Sequence, residues 1–112
     1  MNSKNILIEK EIAWEPAGQN VRRQIMGYDK NLMVVKVEFQ TGAVGSEHTH
    51  PHTQSTYVAK GKFEVNIDGE KSVISQGDGF LILPGVNHGC VCLEEGILID
   101  AFSPCREDFL KK

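Results

Sequence analysis

A chain of 112 residues with 40% hydrophobic and 24% charged side chains has room for one buried core. Its formal charge of −3, with Lys and Arg scattered singly or in pairs, leaves no basic stripe, so nucleic acid and anionic membranes make poor partners. No apolar run approaches the ~20 residues of a membrane span, and Met1 to Lys10 lacks the apolar centre of a signal peptide, which predicts a cytoplasmic protein.

The chain opens with "ILIEKEIAWEP", whose hydrophobic residues have few local strand partners. The segment is therefore expected to pack on, or add a strand to, the neighbouring subunit of a homodimer, with Trp14 in a non-strand packing element. From residue 31 onward, short stretches rich in β-branched and aromatic residues follow one another: "NLMVVKVEF", "STYVA", "KFEVNI", "KSVIS", "GFLIL", "GCVCL" and "GILIDAF". Glycines separate most of them, and no amphipathic helix intervenes. Strands this close together leave no room for the crossover helices of a parallel sheet, so the fold is all-β, a small barrel or sandwich. Asp68-Gly69 sits between two alternating segments and marks a type I′ hairpin, because both central residues of that turn need positive φ. One domain results: residues 1–30 form an arm and first strands, 31–103 the barrel core, and 104–112 a tail in which "REDFLKK" is a non-strand element. Cys90, Cys92 and Cys105 fall at no disulfide-framework or metal-knuckle spacing and read as reduced thiols.

Chemistry concentrates in "EHTHPHTQ", which holds three of the chain's four histidines and ends in Gln54. Read as a strand, it turns His48, His50, His52 and Gln54 to one face. The fourth histidine, His88, follows the turn residues Pro84-Gly85. A lone histidine is usually a solvated loop residue or a satisfied core one. Three in phase with a fourth behind a turn favour a metal, since neutral imidazole is the commonest side-chain ligand for mid-row transition ions.

Two spaced patterns then resemble the cupin motifs. Gly42, His48-x-His50, Gln54 and Gly61 match the first, with Gln where Glu is usual. Gly77, Leu83-x-Gly85, His88 and Cys92 match the second, with Leu for its usual Pro and Cys for its usual Asn. The resemblance implies a double-stranded β-helix jelly roll, usually dimeric, holding one divalent transition metal (Ni, Zn, Fe or Mn) on His48, His50, Gln54 and His88. The neutral Gln54 lowers the charge of that ligand set by one.

A narrower similarity covers nearly the whole chain, tail included. "NLMVVKVEFQTGAVGSEHTHPHTQSTYVAKGKFEV", "VNHGCVCLEEGILIDAFSPCREDFL" and Trp14 resemble the small pectin-degradation cupins of the KdgF type. Those proteins convert 4,5-unsaturated uronate monomers, released from pectin or alginate, to linear keto forms. The resemblance implies that Asp100, Phe102 and Arg106 line the site, Asp100 as the proton-transferring group and Arg106 as the partner of the substrate carboxylate.

The residues themselves are compatible with those roles. Alternation in "GILIDAFSP" puts Leu98, Asp100 and Phe102 on one face, and a carboxyl in so apolar a strand has its pKa raised by desolvation toward a range suited to proton transfer. An exposed strand-end Asp is the competing reading. Arg106 lies in a charged tail that a solvated face would also explain, although a planar guanidinium is a natural bidentate partner of a carboxylate. Phe102 is core or a sugar-facing ring, and His52 a substrate contact or a group that orients the ligands. Two other functions fit the same ligands: a cupin dioxygenase, which has no special need of Arg106, and a non-catalytic sugar- or metabolite-binding cupin.

Overall fold

Alternation in the sequence becomes alternation in burial in the computed structural model, which describes residues 1–111. Strand β3, Leu32–Phe39, buries Met33, Val35, Val37 and Phe39 and leaves Val34, Lys36 and Glu38 partly exposed. Each such apolar side chain contributes about 1.5–3 kcal/mol on leaving water. Together with Val58, Phe63, Val65 and Leu98 they form one core, in which the rings of Phe39 and Phe63 meet edge to face at 5.2 Å.

The remaining strands are β1 (Glu15–Pro16), β2 (Val21–Asp29), β4 (Val44–His48), β5 (Thr53–Ile67), β6 (Glu70–Ser75), β7 (Gly79–Ile82) and β8 (His88–Ser103). All pairings are antiparallel, in the order β1-β2-β3-β8-β5-β6, with β4 also on β8 and β7 also on β5. The hairpin at Asp68-Gly69 forms as expected, with φ of 51° and 86° at its two central residues.

Two long strands make the spine. The segments "STYVA" and "KFEVNI", which read as separate strands, are one strand β5, and "GCVCL" and "GILIDAF" are one strand β8. Both bend where their pairing is irregular, between Val58 and Phe63. Glycine permits the bend. A Cβ on Gly61 would lie 2.5 Å from the carbonyl oxygens of Glu94 and Glu95, and one on Gly96 would lie 2.3 Å from that of Lys60. Beyond the bend the partners change: β3 and β7 flank one half of the spine, β4 and β6 the other. The single sheet thereby curls around a cavity, and His88 and Asp100, at opposite ends of β8, come to line the same space.

The N-terminal arm folds back on its own chain. Gln24, fully buried in β2, donates from Nε2 to the carbonyls of Glu9 and Ile12, and Glu9 pairs with Lys36. The buried amide of Gln24 needs those arm carbonyls as acceptors, while Ile6 and Ile8 of the same arm stay exposed. At the other terminus a single helical turn, α1 (Glu107–Leu110), lays Phe109 and Leu110 against the core.

Candidate active site

The histidines are brought together by strand register and a turn. β4 ends at His48 and β8 begins at His88, and these two residues are register partners with ring centroids 4.5 Å apart. The strand expected through residues 48–54 is interrupted: residues 49–52 turn through Pro51, which has no N–H to give a ladder, and β5 starts at Thr53. His50 projects from that turn to within 4.8 Å of the His88 ring centroid and 5.5 Å of that of His48. The turn sends His52 elsewhere, so the single in-phase face through four side chains does not form. The ligand atoms of His48, His50 and His88 lie within 4.8 Å of one another.

Hydrogen bonds decide which imidazole nitrogen each histidine offers. Nδ1 of His48 faces the Ser46 carbonyl at 2.9 Å, Nδ1 of His50 that of His52 at 3.1 Å, and Nδ1 of His88 that of Val86 at 2.9 Å. A carbonyl oxygen only accepts, so each Nδ1 carries the proton and each Nε2 keeps its lone pair. Burial holds the His88 pKa below the ordinary histidine range, which favours the neutral, ligating form.

Two features fit a cation among these atoms. The buried Nε2 of His88 has no hydrogen-bond partner. Nε2 of His50 and Oε1 of Gln54, both acceptors, face each other at 2.9 Å. Such a pair is repulsive alone, whereas two ligands of one ion at about 2.1 Å and a right angle sit about 3 Å apart. Three neutral imidazoles converging this way fit a divalent transition metal.

Beside this cluster lies Asp100, on β8. Its Oδ1 accepts from the Thr56 hydroxyl at 2.7 Å and, more weakly, from Gln54 Nε2 at 3.4 Å. Desolvation outweighs these bonds and the nearby Arg106 charge, and pushes the carboxyl up to about 6. The exposed strand-end reading of Asp100 therefore fails: the carboxyl lies within the cavity wall.

Phe102 is buried, with its ring edge-on to those of His50 at 5.7 Å and Phe109 at 5.8 Å. Arg106 is only 9% exposed, which overturns the solvated tail. Its guanidinium lies over the rings of Phe102 and Phe109, and its Nε and Nη2 donate to the two carboxylate oxygens of Asp108 at 3.0 and 2.9 Å. His52 packs edge-on to Phe102 at 6.3 Å, with its buried Nδ1 unpartnered, and the nearby Arg106 charge adds to burial in lowering its pKa. The cavity, about 720 Å³, is within the usual range of small-ligand sites, and His48, Gln54, His88, Asp100, Phe102 and Arg106 line it.

Residues 35–100 match the Cupin domain family. Over 109 residues the chain is 45% identical to the pectin degradation protein KdgF of Dickeya dadantii (strain 3937), an alignment covering 96% of this chain and 99% of that one. The chain belongs to the KdgF family of cupins. Solved structures agree with the assignment. The KdgF structure from Halomonas sp. superposes with a TM-score of 0.90 at 39% identity, covering 96% of this chain and 99% of that one. An RmlC-like cupin from Shewanella frigidimarina NCIMB 400 superposes at 0.93 with 44% identity, over 96% and 97% of the two chains.

In this KdgF-family chain one cavity residue carries no sequence signal of its own. Arg23 lines the cavity, with its guanidinium 3.7 Å from the Phe109 ring centroid and its Nε donating to Glu15 at 2.8 Å. Nothing in "VRRQIM" separates it from Arg22, whose Nε pairs with Glu38 instead. Thr56 was more legible, since it follows Gln54 by two positions in a strand and must share its face.

Proposed function

We propose that the chain opens the ring of 4,5-unsaturated uronate monomers from pectin or alginate breakdown and yields their linear keto forms. One observation carries the reading: the desolvated carboxyl of Asp100 shares a cavity with converging histidine Nε2 atoms and the guanidinium of Arg106. The likeness to a pectin degradation protein along nearly the full length supplies the substrate class.

His48, His50, His88 and Gln54 would hold one divalent ion (Ni, Zn, Fe or Mn), which when bound supplies Lewis-acid stabilisation of charge on substrate oxygens. The other roles belong to the chain. Arg106 grips the sugar carboxylate through the guanidinium edge that Asp108 leaves free. Phe102 and His52 bound the sugar on the side of Arg106. Asp100 takes the proton of the C1 hydroxyl as the bond from C1 to the ring oxygen breaks, and the electron pair stays on that oxygen. C1 becomes an aldehyde, and the resulting enolate takes the proton back from Asp100 at C4 as C5 becomes a carbonyl. Atoms are conserved and nothing is oxidised, so the step is an isomerisation in which one positioned carboxyl moves the proton. The dioxygenase reading gives Arg106 and Asp100 no work.

The chain acts as a cytoplasmic homodimer in this reading. Its three free thiols suit a reducing compartment, and Tyr57 and Leu81 stand exposed on neighbouring strands of one sheet face. Light scattering at micromolar concentration is expected to give twice the chain mass of 12.4 kDa; a monomer alone removes the dimer. The function is tested by incubating the purified protein with exhaustive pectate- and alginate-lyase digests. Ultraviolet absorbance of the 4,5-double bond should fall, with NMR signals of the linear keto product appearing. An unchanged absorbance in both digests rejects the enzyme; oxygen uptake in its place returns the dioxygenase.

A further inference from the structure

Gln54 shows two different atoms to two different neighbours. Its Oε1 lies 2.9 Å from Nε2 of His50, while its Nε2 donates to Oγ1 of Thr56 at 2.9 Å. The Thr56 hydroxyl passes its own proton on to Asp100 Oδ1 at 2.7 Å. Gln54 and Thr56 are 6% and 3% exposed, so little water reaches this chain of bonds.

We propose that Thr56 is a positioning residue whose hydroxyl fixes which end of the Gln54 amide faces the histidines and which oxygen of Asp100 stays open to the cavity. The inference rests on the reading of Gln54 as a metal ligand and Asp100 as the proton carrier.

Hydrogen-bond direction sets the arrangement. An amide end turned by half a rotation has nearly the same shape, so only its partners select the orientation. Turned over, Gln54 would present N–H groups to the histidines, and an amide nitrogen with its hydrogens is no ligand. An ionised carboxylate can only accept. The Thr56 hydroxyl therefore spends its one proton on Asp100 and has only lone pairs left for Gln54. Gln54 must answer with its NH₂ end, which leaves Oε1 on the histidine side. On Asp100 the bonds from Thr56 and Gln54 both fall on Oδ1, leaving Oδ2 as the oxygen for a proton from the cavity.

The same direction accounts for the neutral ligand at position 54, where the cupin pattern usually has Glu. A glutamate there would set a second carboxylate against Asp100, with one hydroxyl proton to serve both. Glutamine supplies the ligand oxygen and an N–H in a single group.

The test begins with metal binding, which needs no substrate. Metal-free protein, stripped by a chelator and carrying no polyhistidine tag, is titrated with Zn²⁺ against a chelating indicator. Thr56→Val keeps the shape and removes the hydroxyl; it is expected to weaken Zn²⁺ binding 10- to 100-fold, the usual effect of losing a group that orients a ligand, and to approach Gln54→Ala. Thr56→Ser should stay within about threefold of wild type, because the hydroxyl returns. At saturating Zn²⁺, Thr56→Val should also lower kcat on unsaturated galacturonate about tenfold or more with KM changed less than about threefold, since the carboxylate grip of Arg106 is untouched.

Zn²⁺ affinity of Thr56→Val equal to wild type, with Gln54→Ala weakened, overturns the inference and leaves Gln54 a ligand. Wild-type affinity in Gln54→Ala removes the ligand reading and the inference with it. Should Thr56→Val fail to fold, Gln54→Glu carries the test: Zn²⁺ should remain bound while kcat falls about tenfold or more, and undiminished turnover overturns the inference.

Discussion

Arg106 donates from Nε and Nη2 to both carboxylate oxygens of Asp108, at 3.0 and 2.9 Å. The pairing is made within two residues of one tail, and it holds the guanidinium carbon 5.0 Å from the Phe102 ring centroid and 4.1 Å from that of Phe109, with its Nη1 edge free. A lysine keeps the charge but can neither bridge Asp108 in two places nor stack as a plane. Arg106→Lys is therefore expected to raise KM for unsaturated uronates about tenfold or more, with some loss of kcat because a misplaced sugar misses its reactive position. Steady-state kinetics by loss of the double-bond absorbance checks this; an unchanged KM takes Arg106 out of the site.

The convergent ligand nitrogens of His48, His50 and His88 lead to a second expectation. Replacing His50 and His88 together with Ala should remove stoichiometric metal from untagged protein, as measured by elemental analysis. Far-UV circular dichroism should stay that of a β-protein, because Met33, Val35, Val58 and Phe63 carry the core independently of the ligands. Full metal occupancy in the double variant would place the ion elsewhere.

How far the sequence reveals this arrangement depends on the range of the interaction. The Asp68-Gly69 hairpin is written in adjacent residues and reads directly, as does the inward face of Leu98, Asp100 and Phe102. The continuity of β5 and β8 is hidden, because Gly61 and Gly96 look like breaks and act as bends. His48, His50 and His88 are visible as a set, but their convergence comes from the register of β4 on β8 and a turn at Pro51, not from strand alternation. Arg23 is out of reach, since only the fold sets it against Phe109, far along the chain.

Cys90 lines the cavity close to the histidines, yet its thiol is pushed up to about 11, chiefly by burial. Burial raises Cys92 and Cys105 as well. The thiolate is the reactive form, so at pH 8 all three should resist iodoacetamide in the folded protein and react within minutes in urea. Mass spectrometry after a timed pulse measures this. Rapid alkylation of Cys90 in native protein would mean that its surroundings are far wetter than the fold implies.

Asp100 sets function against stability. Its carboxyl titrates near 6 in the folded chain and near 3.8 when unfolded. The folded state thus holds this proton more tightly, so the group costs nothing below the unfolded value and destabilises the fold progressively as pH rises through about 6. A shift of this size corresponds to about 3 kcal/mol at most. Asp100→Asn has nearly the same shape and never ionises. Metal-free Asp100→Asn should therefore be more stable than metal-free wild type at pH 8, with the difference largely gone at about pH 3.5, below the unfolded value, in urea unfolding at both values. Its kcat on unsaturated galacturonate should meanwhile fall by roughly 10²-fold or more, the size of a general acid-base contribution, with metal content intact. Near-normal turnover in Asp100→Asn would make the residue scaffold, and a stability gain equal at both pH values would mean that its carboxyl is not desolvated.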